Sequence, residues 1–138
     1  MKHSQKLYLK LSEEVREKYS ISQSEFDIVA FLNNHPQFNT AKNICEVRLL
    51  PKSCVSVALD RLTKMGYIAC SADEQDRRVV RLRFLEKAEP LRKAIKLVQV
   101  KFGCAVFENI SQEEAGEFFN TLSKINENVV DAMEEAKA

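Results

Sequence analysis

The sequence predicts a mainly α-helical fold carrying one small β-hairpin, and three observations lead there. Apolar residues recur at helical spacing over both ends of the chain. Only three glycines and three prolines interrupt it, so sharp turns are few. After Gly66 the period shortens to two, the signature of paired strands.

The elements follow in order. Leu7, Leu11, Val15 and Tyr19 stand at steps of four and predict a first helix from about Gln5 to Lys18. Ser22 with Glu25 forms a capping-box pattern that opens a second helix bearing Phe26, Val29, Ala30, Phe31 and Leu32. Asn33-Asn34-His35-Pro36 ends it, because proline cannot continue a helix. Thr40 can cap a short third helix to about Val47, with Ile44 and Cys45 facing inward. After Leu49 and Leu50, Pro51 suits a first helical position, and Gly66 suits the stop after Met65.

Tyr67 to Cys70 reads as a short strand, Ser71 to Asp76 as a polar turn, and Val79 to Phe84 as a second strand. Val80, Leu82 and Phe84 point one way, and Arg81 with Arg83 the other. Helical period returns at Glu86 or Pro90, with Leu91, Ile95, Val98, Phe102 and Ala105 in a stripe. Ser111 with Glu114 starts a last helix whose stripe is Phe118, Leu122, Ile125, Val129 and Met133.

Composition bounds the function. A chain of 138 residues with 45% hydrophobic and 30% charged side chains can bury one real core. No apolar run approaches the roughly 18 residues that a membrane span needs, so no membrane partner is expected. Met1 to Lys6 lacks a signal-peptide h-region, which predicts a cytoplasmic protein. Cys45, Cys54, Cys70 and Cys104 form no C-x-x-C pair, and His3 and His35 lie far from them. Four reduced thiols, with no metal site and no cofactor, are therefore expected. The two histidines sit near an end and in a loop, and neither G-x-S-x-G nor a phosphate-cradling glycine loop is present. No catalytic residue can be named, and an enzyme is not expected.

The middle of the chain is different in charge. Arg48 to Arg83 carries eight Lys or Arg against four acids, a net of +4 that leaves −3 on the remainder. A basic middle between acidic flanks suits an anionic partner. Within it, a short helix, a tight turn, a second helix and a hairpin follow one another, which is the layout of a winged helix-turn-helix. The second of these helices turns Val55, Leu59 and Leu62 inward and Lys52, Ser53, Ser56, Val57, Asp60, Arg61 and Lys64 outward.

A major groove about 12 Å wide admits one such helix. Lys52, Ser53 and Ser56 suit hydrogen bonds to base edges or phosphates, and Val57 could touch a thymine methyl. On this face alone, base reading and ordinary solvation stand level. The hairpin tips the balance. Asp76-Arg77-Arg78 ends the polar loop, so Asp76 can anchor one arginine while the other, Arg77 or Arg78, enters a minor groove. Lys64, Arg81 and Arg83 are phosphate candidates. Cys54 lies near the start of the same helix beside Lys52, where its oxidation could couple to DNA release.

Residues 25–91 resemble the MarR family of transcriptional regulators. The likeness is carried by Val55-Ser56-Val57-Ala58-Leu59-Asp60-Arg61-Leu62, by Lys64-Met65-Gly66-Tyr67-Ile68, and by the wing pattern Asp73-Glu74-Gln75-Asp76-Arg77-Arg78. Three departures stand out. Val57 replaces a frequent arginine, Phe84-Leu85-Glu86-Lys87-Ala88 lacks the usual Thr and Gly, and Pro90 falls near the start of the long helix.

The resemblance implies a single domain over 1–138, with a winged helix-turn-helix lobe at about 22–85 and dimerisation helices at about 3–20 and 88–137. It implies a homodimer, a repressor that binds a pseudo-palindromic double-stranded DNA operator, and in some members release by a small amphipathic effector. Tyr8, Phe26, Phe31 and Phe38 are the aromatics that could line an effector crevice. The competing reading is a winged-helix protein-interaction module that never meets DNA.

Overall fold

The computed structural model describes residues 2–138. By its contacts the chain forms two compact units, one up to Phe102 and one of Gly103–Ala138.

In the first unit, α1 (Lys2–Tyr19), α2 (Gln23–Asn34), α3 (Ala41–Arg48) and α4 (Lys52–Lys64) precede strands β1 (Ile68–Ala72) and β2 (Val80–Phe84). A single 3-10 turn at Glu86–Ala88 then leads into α5 (Glu89–Val106). The mainly helical fold with one antiparallel hairpin is the one the sequence predicts.

Local chemistry starts α2 and α3. Ser22 Oγ accepts from Glu25 N–H at 3.2 Å, and Glu25 Oε2 accepts from Ser22 N–H at 2.9 Å, closing the capping box of α2. Thr40 Oγ1 accepts from Asn43 N–H at 3.1 Å and caps α3. The tight connection between α3 and α4 is made by Leu49, at φ +51° and 88% exposed. A left-handed leucine costs on the order of 1 kcal/mol and here turns the chain in place of a glycine.

Pro51 sits one residue earlier than the sequence predicts. It is the cap of α4, with extended ψ of 140°, and its carbonyl accepts the first helical bond from Val55 N–H at 3.1 Å. Gly66, at φ +78°, follows the last turn as expected.

The core joins α2, α3, α4, the base of the hairpin and α5. Phe26, Ile28, Val29, Ile44, Val55, Leu62, Ile68, Leu91 and Ile95 are its fully enclosed side chains. Phe26 and Phe31 belong to this core, so neither is left to line a crevice. On α1 the stripe Leu7, Leu11, Val15 and Tyr19 is half-buried, and the enclosed residue is Ser12. Its hydroxyl donates to Leu9 carbonyl at 2.9 Å and lies 2.9 Å from Gln23 Oε1, while Arg16 Nε donates to it at 3.2 Å.

The hairpin runs two residues further than predicted on its first strand. Ile68 pairs with Phe84, Cys70 with Leu82, and Ala72 with Val80. Asp73 explains the longer ladder, because its carboxylate folds the turn that the polar run alone would leave loose. Without the Thr and Gly that usually open α5, Lys87 secures this corner: its Nζ donates to Met65 carbonyl at 2.6 Å and sits 5.2 Å from the Tyr67 ring centroid. Pro90 is accommodated in the first turn of α5.

In the second unit, Asn109 at φ +61° breaks the helical path, and Ser111 caps α6 (Gln112–Lys137) through a second capping box with Glu114. Phe107, Phe118 and Phe119 cluster with ring centroids 5.4–5.6 Å apart. No residue of α6 is buried, and Phe118, Leu122, Ile125, Val129 and Met133 all lie open along one line.

Candidate nucleic-acid interface

Helix α4 rests on α2 and α3 through Val55, Ala58, Leu59 and Leu62. This fixes Lys52, Ser53, Ser56, Val57, Asp60, Arg61 and Lys64 on its open side, as the spacing predicts. The side chains of Lys52, Ser53 and Ser56 have no hydrogen-bond or ion partner among the described residues. Val57, next to Ser56, is 63% exposed.

The two other cations of α4 are engaged within the protein. Arg61 Nη1 lies 2.9 Å from Glu25 Oε1, a carboxylate that is almost wholly enclosed. Lys64 Nζ lies 2.9 Å from Asp60 Oδ2 in an exposed i,i+4 pair. The first is a placement the sequence did not reveal. An arginine on the open face becomes a brace because α2 brings a buried acid beneath it. The second pair is weak and easily exchanged, since exposed ion pairs contribute about 0–1 kcal/mol.

The wing is organised by Asp73. Its Oδ2 accepts from the N–H groups of Gln75 and Asp76, both at 3.1 Å, and its Oδ1 accepts from Arg81 Nε at 3.1 Å. Arg81 Nη1 also donates to Asn39 Oδ1 at 3.1 Å, and Leu82 N–H donates to Asn39 carbonyl at 2.8 Å. Arg81 is therefore not a free cation on a basic strand face. It ties the wing to the loop before α3. The sequence hid this because Asn39 lies far away in the chain and carries no motif.

At the tip, Asp76 Oδ1 accepts from both the backbone N–H and Nε of Arg78 at 3.1 Å. Arg77 and Arg83 are exposed and have no side-chain partner among the described residues. Of the two arginines left open by the sequence, Asp76 anchors Arg78 and leaves Arg77 to project.

The Asp73 carboxyl is held below its ordinary value, first by the Asp76 N–H and then by the Arg81 guanidinium. A lowered folded-state value stabilises the wing above the ordinary value of 3.8, and that support is lost as pH falls through the folded value. Amide protection at Gln75 and Asp76, taken relative to the intrinsic exchange rate at each pH, should therefore hold at neutral pH and fall only as pH drops below the ordinary 3.8. In Asp73→Ala that protection should be absent at every pH, and continued protection there would show that the turn holds itself.

A second feature of this unit lies at the other end of α3. Lys2, Ser4, Gln5, Tyr8, Arg48 and Phe102 line a cavity of about 510 Å³. Beside it, Asp27 Oδ1 accepts from Gln23 Nε2 at 2.9 Å, and Asp27 Oδ2 lies 3.8 Å from Arg48 Nη2. Burial raises the Asp27 carboxyl above its ordinary range and raises the Tyr8 hydroxyl as well.

Residues 19–79, from the end of α1 through the wing tip, match the sequence model of the MarR family. The winged helix-turn-helix segment is therefore similar to the MarR family. Solved structures extend the likeness to nearly the whole chain. A MarR-family transcriptional regulator from Silicibacter pomeroyi superposes with a TM-score of 0.77 at 18% identity, covering 94% of this chain and 86% of that one. The Staphylococcus aureus MarR in complex with salicylate and kanamycin gives 0.68 at 28% identity, covering 90% and 83%. The S. aureus MepR–DNA complex gives 0.61 at 19% identity, covering 87% and 90%. The MarR-type lobe thus accounts for the order α3, α4, hairpin, and the wing pattern from Asp73 to Arg78 has a defined job in it.

Proposed function

We propose that this chain is a sequence-specific DNA-binding transcriptional regulator of the repressor type, acting as a homodimer on a pseudo-palindromic operator. The observation that carries the reading is the pair of unpartnered groups in this lobe. The open face of α4 offers Lys52, Ser53, Ser56 and Val57, and the wing offers Arg77. A recognition helix in the major groove and an arginine in the adjacent minor groove use these in different ways. Arg83, Arg78 and Lys64 are the phosphate contacts, and Asp76 anchors the wing tip. Arg61 and Arg81 act by holding α4 and the wing in place.

Support for the DNA partner comes from the MepR relative, which was crystallised with DNA. The dimer is supported by the open apolar line on α6, which suits a second copy of this chain. Two lobes related by a two-fold axis would place their recognition helices about 10 base pairs apart. A small amphipathic effector suits the cavity at Tyr8, where Arg48 and Lys2 offer charge and Phe102 an apolar ring. A relative binds salicylate, an anion of that kind.

The test is titration of the protein into its own upstream DNA and into a scrambled duplex, at several salt concentrations. The reading expects tighter binding to the natural duplex and a linear fall of log affinity with log salt. A flat salt response with no preference would favour a protein-interaction module instead. Arg77→Ala should weaken binding roughly ten-fold across sequences and lower the salt slope by about one. Arg78→Ala should cost less, because Asp76 already neutralises it. Equal losses in the two variants would sink this division of labour.

A further inference from the structure

We propose that Val57 is a specificity-determining residue that reads the C5-methyl group of a thymine in the major groove. The inference rests on the DNA-binding function proposed above.

The middle of α4 carries no cation. Guanine is read in the major groove chiefly by arginine or lysine, which donate to its O6 and N7. The cations of α4 beyond its first residue are Arg61 and Lys64, and they are paired with Glu25 and Asp60 at 2.9 Å each. Both stand in the last turn, so no cationic donor occupies the middle of the helix face. At that centre stands Val57, with nearly two thirds of its surface open.

An apolar group in the major groove has one complementary feature among the four bases, the thymine methyl. Valine also suits the task because its branched carbon is held in one rotamer on a helix, so little freedom is lost on contact. Ser53 and Ser56 lie one turn before it and beside it. Their hydroxyls donate or accept, and so tolerate several neighbouring bases. The face as built discriminates at Val57 and adapts around it.

The size of the effect follows from the area involved. Burying one methyl group against another changes a binding constant about four-fold. Val57 is solvent-exposed and alanine is a better helix former, so Val57→Ala should fold normally.

The experiment first selects a bound duplex from a random-sequence pool. Each thymine of that duplex is then replaced, one at a time, by deoxyuridine, which removes only the C5-methyl. The wild type is expected to lose about four-fold at one thymine in each half-site. Val57→Ala should bind the unmodified duplex about four-fold more weakly and be indifferent to uracil at that same position. Uracil effects that are identical in the wild type and Val57→Ala at every position would overturn the role of Val57 while leaving DNA binding intact. Recovery of no duplex at any salt concentration would instead overturn the DNA-binding function, and this inference with it.

Discussion

The double variant Leu122→Glu with Ile125→Glu should sediment as a monomer and lose operator affinity by about 100-fold or more. The expectation comes from α6, which spans Gln112–Lys137 and buries none of its residues. Its open apolar side chains at 118, 122, 125, 129 and 133 are each about half exposed. Spacings of four, three, four and four keep them on one side of a helix, as in a two-helix seam. Covering the open half of each side chain contributes about 1 kcal/mol, and both copies contribute in a symmetric pair.

A long helix with no buried face has only propensity and capping to hold it, so a partner is what the pattern calls for. Two glutamates at the centre of the seam would place like charges against their symmetry mates in an apolar setting. Losing the second lobe removes the avidity of two linked contacts, hence the large fall in affinity. Equilibrium sedimentation checks the mass, and anisotropy on the selected duplex checks the affinity. A variant that keeps the wild-type mass would show that the two copies meet elsewhere.

What the sequence revealed and what it hid divide along a physical line. Helix starts were legible because capping is local: Ser22 with Glu25, Thr40, and Ser111 with Glu114 each act within three residues. The inward set of α4 was legible because burial follows a fixed period, and Val55, Leu59 and Leu62 are all enclosed. The hairpin was legible from its alternation, though not its length, which depends on the Asp73 carboxylate reaching two backbone N–H groups.

What could not be read was pairing at a distance. Arg61 and Arg81 look like free cations in any local window, yet one meets Glu25 and the other Asp73 and Asn39. The same holds for Lys87, whose partners Met65 and Tyr67 lie across the hairpin. The candidate interface was thus visible as a face. Its division into reading groups and braces became visible only when the fold brought α2 beneath α4.

The brace beneath α4 leads to the largest expected effects on stability, and they should be unequal. Glu25 is one of two enclosed polar or charged residues among those described, the other being Ser12. Its carboxylate accepts from Ser22 N–H at 2.9 Å and lies 2.9 Å from Arg61 Nη1 in an ion pair. Arg61→Ala leaves that carboxylate buried with one remaining donor, which should cost about 3–5 kcal/mol. Glu25→Ala leaves behind an arginine that is 51% exposed and can rehydrate. That loss should be smaller, about 2 kcal/mol, mostly from the broken capping box and its unpaired N–H.

Adding Glu25→Gln to Arg61→Ala should restore part of the stability, because a neutral amide is cheaper to enclose than a charge. Urea denaturation of the four proteins measures all of this directly. Equal losses in the two alanine variants, or no recovery in the double variant, would mean that Arg61 merely decorates the surface. Recovery would show that one acid on α2 sets the footing of the helix that carries Val57.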